Sequence, residues 1–221
     1  MTHFKQFWAF YIPYIIFVIT LFTLIICNNK ADLHLWLTSF NTPNRDIFFY
    51  YYTNVGGSFP FFVVVVLLFY RYRLALFVLI TQLASGLFSQ FIKQTWDEPR
   101  PFKYFADNYP NVNLHQVLGE QLHSSHSFPS GHTITAFAFF LAITFFTKKP
   151  LLHFIFFILA MLVGLSRIYL SQHFAIDVMF GSIIGVAVTI SWLFYYETLH
   201  LKWAEGSLRD VFIRIKRKNT L

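Results

Sequence analysis

The 221-residue sequence predicts an all-α, polytopic membrane protein built as a bundle of six transmembrane helices. Two features of its composition support this prediction: 56% of the residues are hydrophobic and only 12% are charged. A soluble domain of this length would carry about twice as many charged residues. The third observation is that the apolar residues are grouped in six runs, each long enough to cross the roughly 30 Å hydrocarbon core of a bilayer.

Each transmembrane helix needs about 20 mostly apolar residues. Six segments meet this requirement and are expected to form one domain over residues 1–221: Phe7–Cys27, Phe48–Tyr70, Leu74–Ile92, Phe128–Phe146, Leu151–Tyr169 and Phe174–Tyr195. In the second segment, Asn54, Gly56 and Gly57 predict a close contact with a neighbouring helix. The first segment is too long for the apolar region of a typical cleaved signal peptide, so we expect it to be retained.

The distribution of lysine and arginine predicts the orientation of the bundle. Because successive spans alternate in direction, 11 of the 17 basic residues fall on the same side as the N terminus. Cytoplasmic loops carry such an excess. We therefore expect both termini, and a basic tail over residues 199–221, in the cytoplasm. The expected location, which the charge count does not determine, is a bacterial inner membrane. The basic residues on the opposite, extracytoplasmic side are Lys30, Arg45, Lys93, Arg100, Lys103 and Arg167.

Two amphipathic segments lie outside the predicted spans. Leu33–Phe40 is expected in the extracytoplasmic interface, and Trp203–Ile215 as a helix on the cytoplasmic leaflet, with a frayed basic tail as the alternative. The net charge of +7 does not form a basic groove or a known nucleic-acid-binding module, so nucleic acid is not an expected partner. Cys27 is the only cysteine, which excludes an intramolecular disulfide.

Three polar clusters interrupt this apolar sequence and contain its candidate chemistry. They are Lys93-(six residues)-Arg100-Pro101, Pro129-Ser130-Gly131-His132 and Ser166-Arg167-(five residues)-His173-(three residues)-Asp177. Together they hold three cations, two histidines and one carboxylate. Charged side chains this close to hydrocarbon are costly, which indicates a functional role.

The three cations, together with the backbone at an expected helix start, are suited to binding a phosphate. Arg100 and Arg167 can each present a planar fork of N–H donors to phosphate oxygens, and Lys93 adds a point charge. The backbone N–H groups around Ser130 and Gly131 are expected at a helix start, where they can face an anion. Each cation alone could instead extend to lipid headgroups, so the prediction depends on all of them together.

The histidines supply groups that can transfer protons and attack phosphorus. His173 and Asp177 are four residues apart, which places them on one face of a helix. Asp177 can then hold one ring nitrogen of His173 and leave the other free to attack. His132 lies beside the expected phosphate site and can serve as an acid or a base.

A long loop over residues 102–127 separates the first two clusters, and the four helix ends that carry the clusters are expected to meet in one extracytoplasmic pocket. The loop contains His115, His123 and His126. Two histidines close in sequence, without further placed ligands, are a weak indication of a metal site. We therefore interpret them as loop residues near the pocket and expect no metal ion.

The three clusters, with their order and internal spacings, resemble the signature of the type 2 phosphatidic acid phosphatase family, and the six-helix layout is similar to its integral-membrane branch. The resemblance implies that His173 is the nucleophile and forms a phosphohistidine, that Asp177 orients it, and that His132 protonates the leaving group and helps activate water. It implies no metal or other cofactor. The residues that it assigns to phosphate binding are Lys93, Arg100, Ser130, Gly131 and Arg167.

The expected function is hydrolysis of a lipid phosphate or diphosphate at the extracytoplasmic face. The candidate substrates are undecaprenyl diphosphate, phosphatidic acid, phosphatidylglycerol phosphate and the phosphates of lipid A. Two alternatives use the same residues: a phosphotransferase that passes the phosphoryl group to another acceptor, and a binder or transporter of lipid phosphates. The last alternative leaves His132 and the His173–Asp177 pair without a role.

Overall fold

The structure, a computed structural model, describes residues 5–199 and 202–218. Within these ranges the chain forms helices and connecting loops and contains no strand, which confirms the all-α prediction. Two 3₁₀ turns cover Thr53–Gly56 and Lys202–Glu205. The α-helices are α1 (Trp8–Cys27), α2 (Lys30–Thr38), α3 (Pro43–Tyr52), α4 (Phe59–Tyr70), α5 (Tyr72–Thr95), α6 (Pro101–Asn108), α7 (Gly131–Thr144), α8 (Pro150–Tyr169), α9 (Ala175–Thr198) and α10 (Leu208–Lys218).

Four of the described helices, α1, α5, α8 and α9, are long and apolar enough to cross a membrane by themselves. The predicted second span is not one continuous helix. It is divided into α3 with the 3₁₀ turn and α4, which meet at an angle of 53°. The pair can be counted as a fifth, broken span. The break falls at Gly57 and Ser58, just before Pro60, where glycine and proline both disfavour a continuous helix.

The predicted fourth span, Phe128–Phe146, is also shorter than expected, because the helix covers only the 14 residues of α7. Pro129 precedes the helix instead of starting it, and Ser130 is the N-cap residue. Helix α7 packs against α5, α8 and α9. Its side chains are buried almost all round, as expected for a helix at the centre of a bundle.

Close approach of helices explains two of the three residues singled out in the second segment. A Cβ atom on Gly56 would lie 2.6 Å from the carbonyl oxygen of His132, and one on Gly57 would lie 3.4 Å from His132 Nε2. The predicted helix contact is therefore confirmed for both glycines. It is wrong for Asn54, which is exposed and whose amide group donates to the carbonyl of Tyr51 on its own helix at 3.2 Å.

Polar contacts join the start of α5 to the end of α9. Arg73 Nη1 lies 2.8 Å from Glu205 Oε1, and the hydroxyl of Tyr196 donates to the Arg73 carbonyl at 2.6 Å. Helix α10 follows and stacks the ring of Phe212 on that of Phe69 in α4. The predicted tail therefore contains a helix. Residues 200, 201 and 219–221 of that tail, and the side chains of Lys202, Arg214, Ile215, Arg217 and Lys218, lie outside what the structure describes.

The other end of the bundle gathers the parts of the chain that carry the polar clusters. The ends of α1, α5 and α8 meet the starts of α7 and α9 there, and α2 and α6 cover them. In α2, the predicted amphipathic segment, Leu33 is buried while Trp36 and the following Phe40 are exposed. Because the loop over residues 109–130 also returns to this end, all three clusters are brought together.

The contact between α7 and α9 gives a direct test of this packing. A Cβ atom on Gly185 would meet the carbonyl oxygen of Ile134 and lie 3.1 Å from the nitrogen of Ala138. We expect Gly185→Ala to force the helices apart and to lower the free energy of unfolding by about 1–3 kcal/mol. Thermal unfolding of the purified protein in detergent measures the effect.

The matched control is Gly86→Ala in α5, because a Cβ atom there would have no atom within 4 Å. Alanine favours a helix over glycine, so this variant should be as stable as the parent protein or slightly more stable. Equal melting temperatures for the two variants would contradict the described packing of α7 on α9.

Candidate active site

The turn between α8 and α9 places Arg167 and His173 in the same buried region. The carbonyl oxygen of Arg167 accepts hydrogen bonds from the backbone N–H groups of Gln172 at 3.0 Å and His173 at 3.1 Å. Ser171 has a φ of 51°, in the left-handed region, which reverses the chain within this short turn. As a result both side chains are almost completely buried.

His173 and Asp177 are neighbours as predicted, but they are not hydrogen-bonded. The predicted placement of both residues on one helix face is wrong, because α9 begins at Ala175 and His173 lies before its N-cap residue, Phe174. His173 Nδ1 lies 3.5 Å from Asp177 Oδ2 and is buried without a hydrogen-bond partner among the described residues. The carboxylate is engaged elsewhere, because Oδ2 accepts from the Ser127 hydroxyl at 2.5 Å and from the Phe174 N–H at 2.9 Å. The predicted direct bond is therefore replaced by a close electrostatic contact that fixes the carboxylate beside the ring.

Burial, together with the positive charges of Arg100, Arg167 and Lys93, holds the pKa of His173 well below its ordinary value of 6.5. The same three cations that can bind a phosphate therefore keep the imidazole neutral. A neutral imidazole has a lone pair on one nitrogen and is the nucleophilic form of the side chain.

Arg100 is held on two sides by acceptors from different parts of the chain. Its Nε donates to the Ser125 carbonyl at 3.0 Å, and its Nη1 donates to the side-chain oxygen of Gln172 at 2.8 Å. Its backbone N–H also donates to the Ser124 carbonyl at 2.9 Å. These bonds connect the start of α6, the long loop and the α8–α9 turn.

Arg167 contacts the 3₁₀ turn of the second apolar segment. Its Nη1 donates to the hydroxyl of Thr53 at 2.6 Å and lies 3.7 Å from Glu120 Oε1 in the long loop. Its Nε is buried and has no hydrogen-bond partner in the described part of the chain. The guanidinium group therefore has donor capacity left for a ligand.

Lys93, the third cation, is bound to the end of the same loop. Its Nζ donates to the His126 carbonyl at 3.1 Å. In turn, Nδ1 of the His126 ring donates to the Lys93 carbonyl, also at 3.1 Å. The backbone N–H of His126 donates to Asp97 at 2.9 Å. The three predicted phosphate-binding cations thus lie around one site.

The second cluster forms the start of α7 at this site. Ser130 is completely buried; its N–H donates to the carbonyl of Asp177 at 3.1 Å, and its hydroxyl accepts from Thr133 at 2.8 Å. No side chain caps the first turn of the helix, which follows with Gly131 and His132. His132 is half-buried in the first turn of this helix, and a Cβ atom on Gly57 would lie 3.4 Å from its Nε2. The predicted residues of all three clusters are therefore brought together.

The other loop histidines are separate from one another. His115 Nε2 donates to Asp46 Oδ1 at 2.8 Å, and His126 binds backbone groups as described above. His123 is mostly exposed; the limited burial of its ring and the positive charges of Arg100, Arg167 and Lys93 lower its pKa below the ordinary value. Within residues 5–199 and 202–218, no three His, Cys, Asp or Glu side chains converge as metal ligands would.

A cavity of about 430 Å³ adjoins the site between the ends of α1 and α5, helix α2 and the start of α9. Asp177 belongs to the cluster of charged residues and also lines the cavity, together with the nearby Phe174. Its walls are mostly apolar, and they include Ile25 and the half-exposed Phe180. Lys30 also lines it, with Nζ 4.1 Å from the centre of the Phe174 ring.

Sequence reasoning missed four residues of this site: Thr53, Glu120, Ser127 and Gln172. Thr53 is a polar residue within the second apolar segment and Ser127 directly precedes the fourth, and only the folded chain shows that they bind Arg167 and Asp177. Gln172 directly precedes His173 in the third cluster, so its position was a usable signal. Glu120 is an acidic residue in the long loop, and its sequence gives no indication that it reaches the cations.

Comparison with known proteins connects these residues to a family. Residues 72–200, more than half of the chain and all three clusters, match the PAP2 superfamily. The sequence is 32% identical over 129 residues to phosphatidylglycerophosphatase B of Bacillus subtilis (strain 168), covering 49% of this chain and 61% of that protein. It is 33% identical over 119 residues to undecaprenyl-diphosphatase BcrC of the same organism, covering 52% and 53%.

The chain thus spans less than two thirds of the length of these two relatives. Among solved structures, it is similar to the crystal structure of Aquifex aeolicus LpxE. That comparison has a TM-score of 0.66 and 26% sequence identity, and it covers 76% of this chain and 96% of the other. The similarity therefore extends from the three clusters to the arrangement of the helices.

Proposed function

Because the chain belongs to the PAP2 superfamily, we propose that it is an integral-membrane phosphatase that hydrolyses a lipid phosphate or diphosphate through a phosphohistidine at His173. The observation that carries this proposal is the setting of His173. Its buried imidazole lies beside the Asp177 carboxylate and within the field of Lys93, Arg100 and Arg167. A nucleophile and the charges needed to bind a phosphate therefore occupy one site.

In the first step, a phosphate group binds between the three cations and the N–H groups at the start of α7. Nδ1 of His173 faces Asp177, so Nε2 is the nitrogen that attacks phosphorus. The N–P bond forms while the bond from phosphorus to the leaving oxygen breaks. His132, in its protonated form, gives its proton to that oxygen. Asp177 stabilises the positive charge that develops on the His173 ring.

In the second step, a water molecule attacks the phosphorus of the phosphohistidine. His132, now neutral, accepts a proton from this water, and the N–P bond breaks to release inorganic phosphate. The negative charge on the phosphoryl oxygens grows in both transition states. Arg100 and Arg167 are already held in place by Gln172, Ser125 and Thr53, so they can stabilise this charge without large rearrangement.

The adjoining cavity supports a lipid as the substrate. It begins beside Asp177 and Phe174 and is lined by apolar residues from helices that face the bilayer, including the exposed Trp96 and Phe180. A hydrocarbon chain can lie there while the phosphate group reaches the cations. The substrate classes named for the two relatives, a phosphatidylglycerophosphate and undecaprenyl diphosphate, both combine these two parts.

We further propose six membrane crossings, with the broken α3–α4 pair and the short α7 completing the set. Both termini then lie in the cytoplasm of a bacterial cell and the active site lies on the extracytoplasmic side of the inner membrane. The basic residues support this orientation, since Arg71 and Arg73 lie at the end of the bundle opposite to the site.

His173→Ala tests the proposed nucleophile. We expect the variant to lose about 1,000-fold or more of the rate of phosphate release from phosphatidic acid in detergent, because it lacks the imidazole that forms the intermediate. Size-exclusion chromatography and the melting temperature establish that it is folded. His115→Ala, which removes a histidine bound to Asp46 outside the cluster, should keep most of the activity. Normal turnover by a folded His173→Ala protein would refute the proposed mechanism.

The role of the cavity is tested by two neighbouring isoleucines at the end of α1. Ile25 lines the cavity, whereas Ile26 is 65% exposed and does not. Because a tryptophan at position 25 fills part of the cavity, Ile25→Trp should lower kcat/KM for a long-chain phosphatidic acid by about tenfold. Its activity on p-nitrophenyl phosphate, which has no hydrocarbon chain, should be unchanged.

Ile26→Trp is the matched control and should alter neither activity. If Ile25→Trp hydrolysed both substrates as well as the parent protein, the lipid chain would have to bind elsewhere, although the phosphatase activity itself would stand.

A further inference from the structure

One acidic side chain reaches the cation cluster from the long loop. Glu120 has only 16% of its side chain exposed, and its Oε1 lies 3.7 Å from Arg167 Nη1. Its charge also acts on Arg100 and His123. The proposed mechanism gives this carboxylate no task, and it sits where negative charge on a phosphate would be attracted.

The loop holds Glu120 in this position from both sides. Gly119, the preceding residue, has a φ of +89°, and a Cβ atom there would lie 3.2 Å from the hydroxyl oxygen of Tyr50. Gln121, the following residue, accepts a hydrogen bond at 2.7 Å from the side chain of Gln172 in the α8–α9 turn. Glycine is suited both to this conformation and to this close approach. The conformation of the loop therefore holds the Glu120 side chain beside the cations.

The contact with Arg167 is electrostatic and too long for a hydrogen bond. A carboxylate that anchored the loop permanently would be expected to pair with the guanidinium group through two short bonds. Instead, Nε of Arg167 has no hydrogen-bond partner among the residues that the structure describes, and Nη1 is bonded to Thr53. An anion that can approach Arg167 more closely would therefore replace Glu120 with a gain in hydrogen bonding.

The charges of the cluster favour the same exchange. Lys93, Arg100 and Arg167 carry three positive charges and Asp177 carries one negative charge, which leaves two positive charges for a ligand. A phosphate group carries up to about two negative charges near neutral pH. With Glu120 in place only one positive charge remains, so a phosphate and Glu120 compete for the same site.

We propose that Glu120 is an internal competitor that occupies the phosphate site of the free protein and must leave Arg167 before the substrate phosphate binds. The long loop then covers the site and carries the carboxylate that competes with phosphate. Glu120 thereby sets the affinity of the site for phosphate. This inference rests on the proposed function for the identity of the ligand. The exchange itself is a binding equilibrium and can be measured without turnover.

Glu120→Gln is the central experiment, because it removes the charge while keeping the size of the side chain. We expect the variant to bind inorganic phosphate about five- to tenfold more tightly in isothermal titration of the detergent-solubilised protein. In assays with phosphatidic acid, KM and the inhibition constant of inorganic phosphate should fall by a similar factor. Because Glu120 is absent from the transition state, kcat should change by less than about twofold.

Asp107→Asn is the matched control. It makes the same change in net charge on α6, where Asp107 pairs with Lys103 on the exposed surface at 2.8 Å. This variant should leave phosphate affinity and KM unchanged, which separates a local effect at Arg167 from a general change in charge. Glu120→Asp keeps the charge on a side chain that is one carbon shorter, so it should bind phosphate with intermediate affinity.

The competing explanation is that Glu120 only stabilises the loop. In that case Glu120→Gln would weaken phosphate binding or leave it unchanged, and either result overturns the proposal. If the parent protein binds phosphate but hydrolyses no lipid phosphate, the proposed function fails while the titrations still decide the role of Glu120. If hydrolysis is normal and the affinity does not increase in Glu120→Gln, this inference alone fails.

Discussion

The enclosure of three positive charges at the end of an apolar bundle, with Arg100 and Arg167 buried and Lys93 half-buried, is the constraint on which the rest of the site depends. Lys93, Arg100 and Arg167 are costly in this position unless acceptors surround them. The acceptors come from distant parts of the chain: Thr53 in a 3₁₀ turn, Gln172 in the turn between α8 and α9, and the carbonyl groups of Ser125 and His126 in the long loop. The need to satisfy these charges explains why three segments far apart in sequence form one site.

The same constraint explains two features that are irregular for membrane spans: the break in the second apolar segment and the short helix α7. A continuous second span would carry Thr53 within a regular helix. The break at Gly57 instead lets the 3₁₀ turn approach α7 and place the Thr53 hydroxyl against Arg167. Helix α7 can be short because its neighbours α5, α8 and α9 shield it from lipid. Its start at Gly131 then places Ser130, Gly131 and His132 at the same end of the bundle as the cations.

Much of this arrangement could be predicted from the sequence, because the signals were local. Runs of apolar residues indicate helices, and the close spacing of His173 and Asp177 indicates that they are neighbours. What could not be predicted depends on contacts between distant segments. Asp177 was expected to bond to His173, but its carboxylate binds Ser127, 50 residues away in sequence. Likewise, the position of Glu120 beside Arg167 follows only from the way the loop folds back over that residue.

The central claim is that these contacts prepare His173 to accept a phosphoryl group. The most direct measurement is to mix the protein with phosphatidic acid carrying a ³²P-labelled phosphate, to stop the reaction in alkali after short intervals, and to locate protein-bound label by peptide mapping. The account predicts alkali-stable label on the peptide that contains His173, formed at least as fast as inorganic phosphate is released. Release of phosphate with no label on the protein at any time, or with label on another residue, would contradict it.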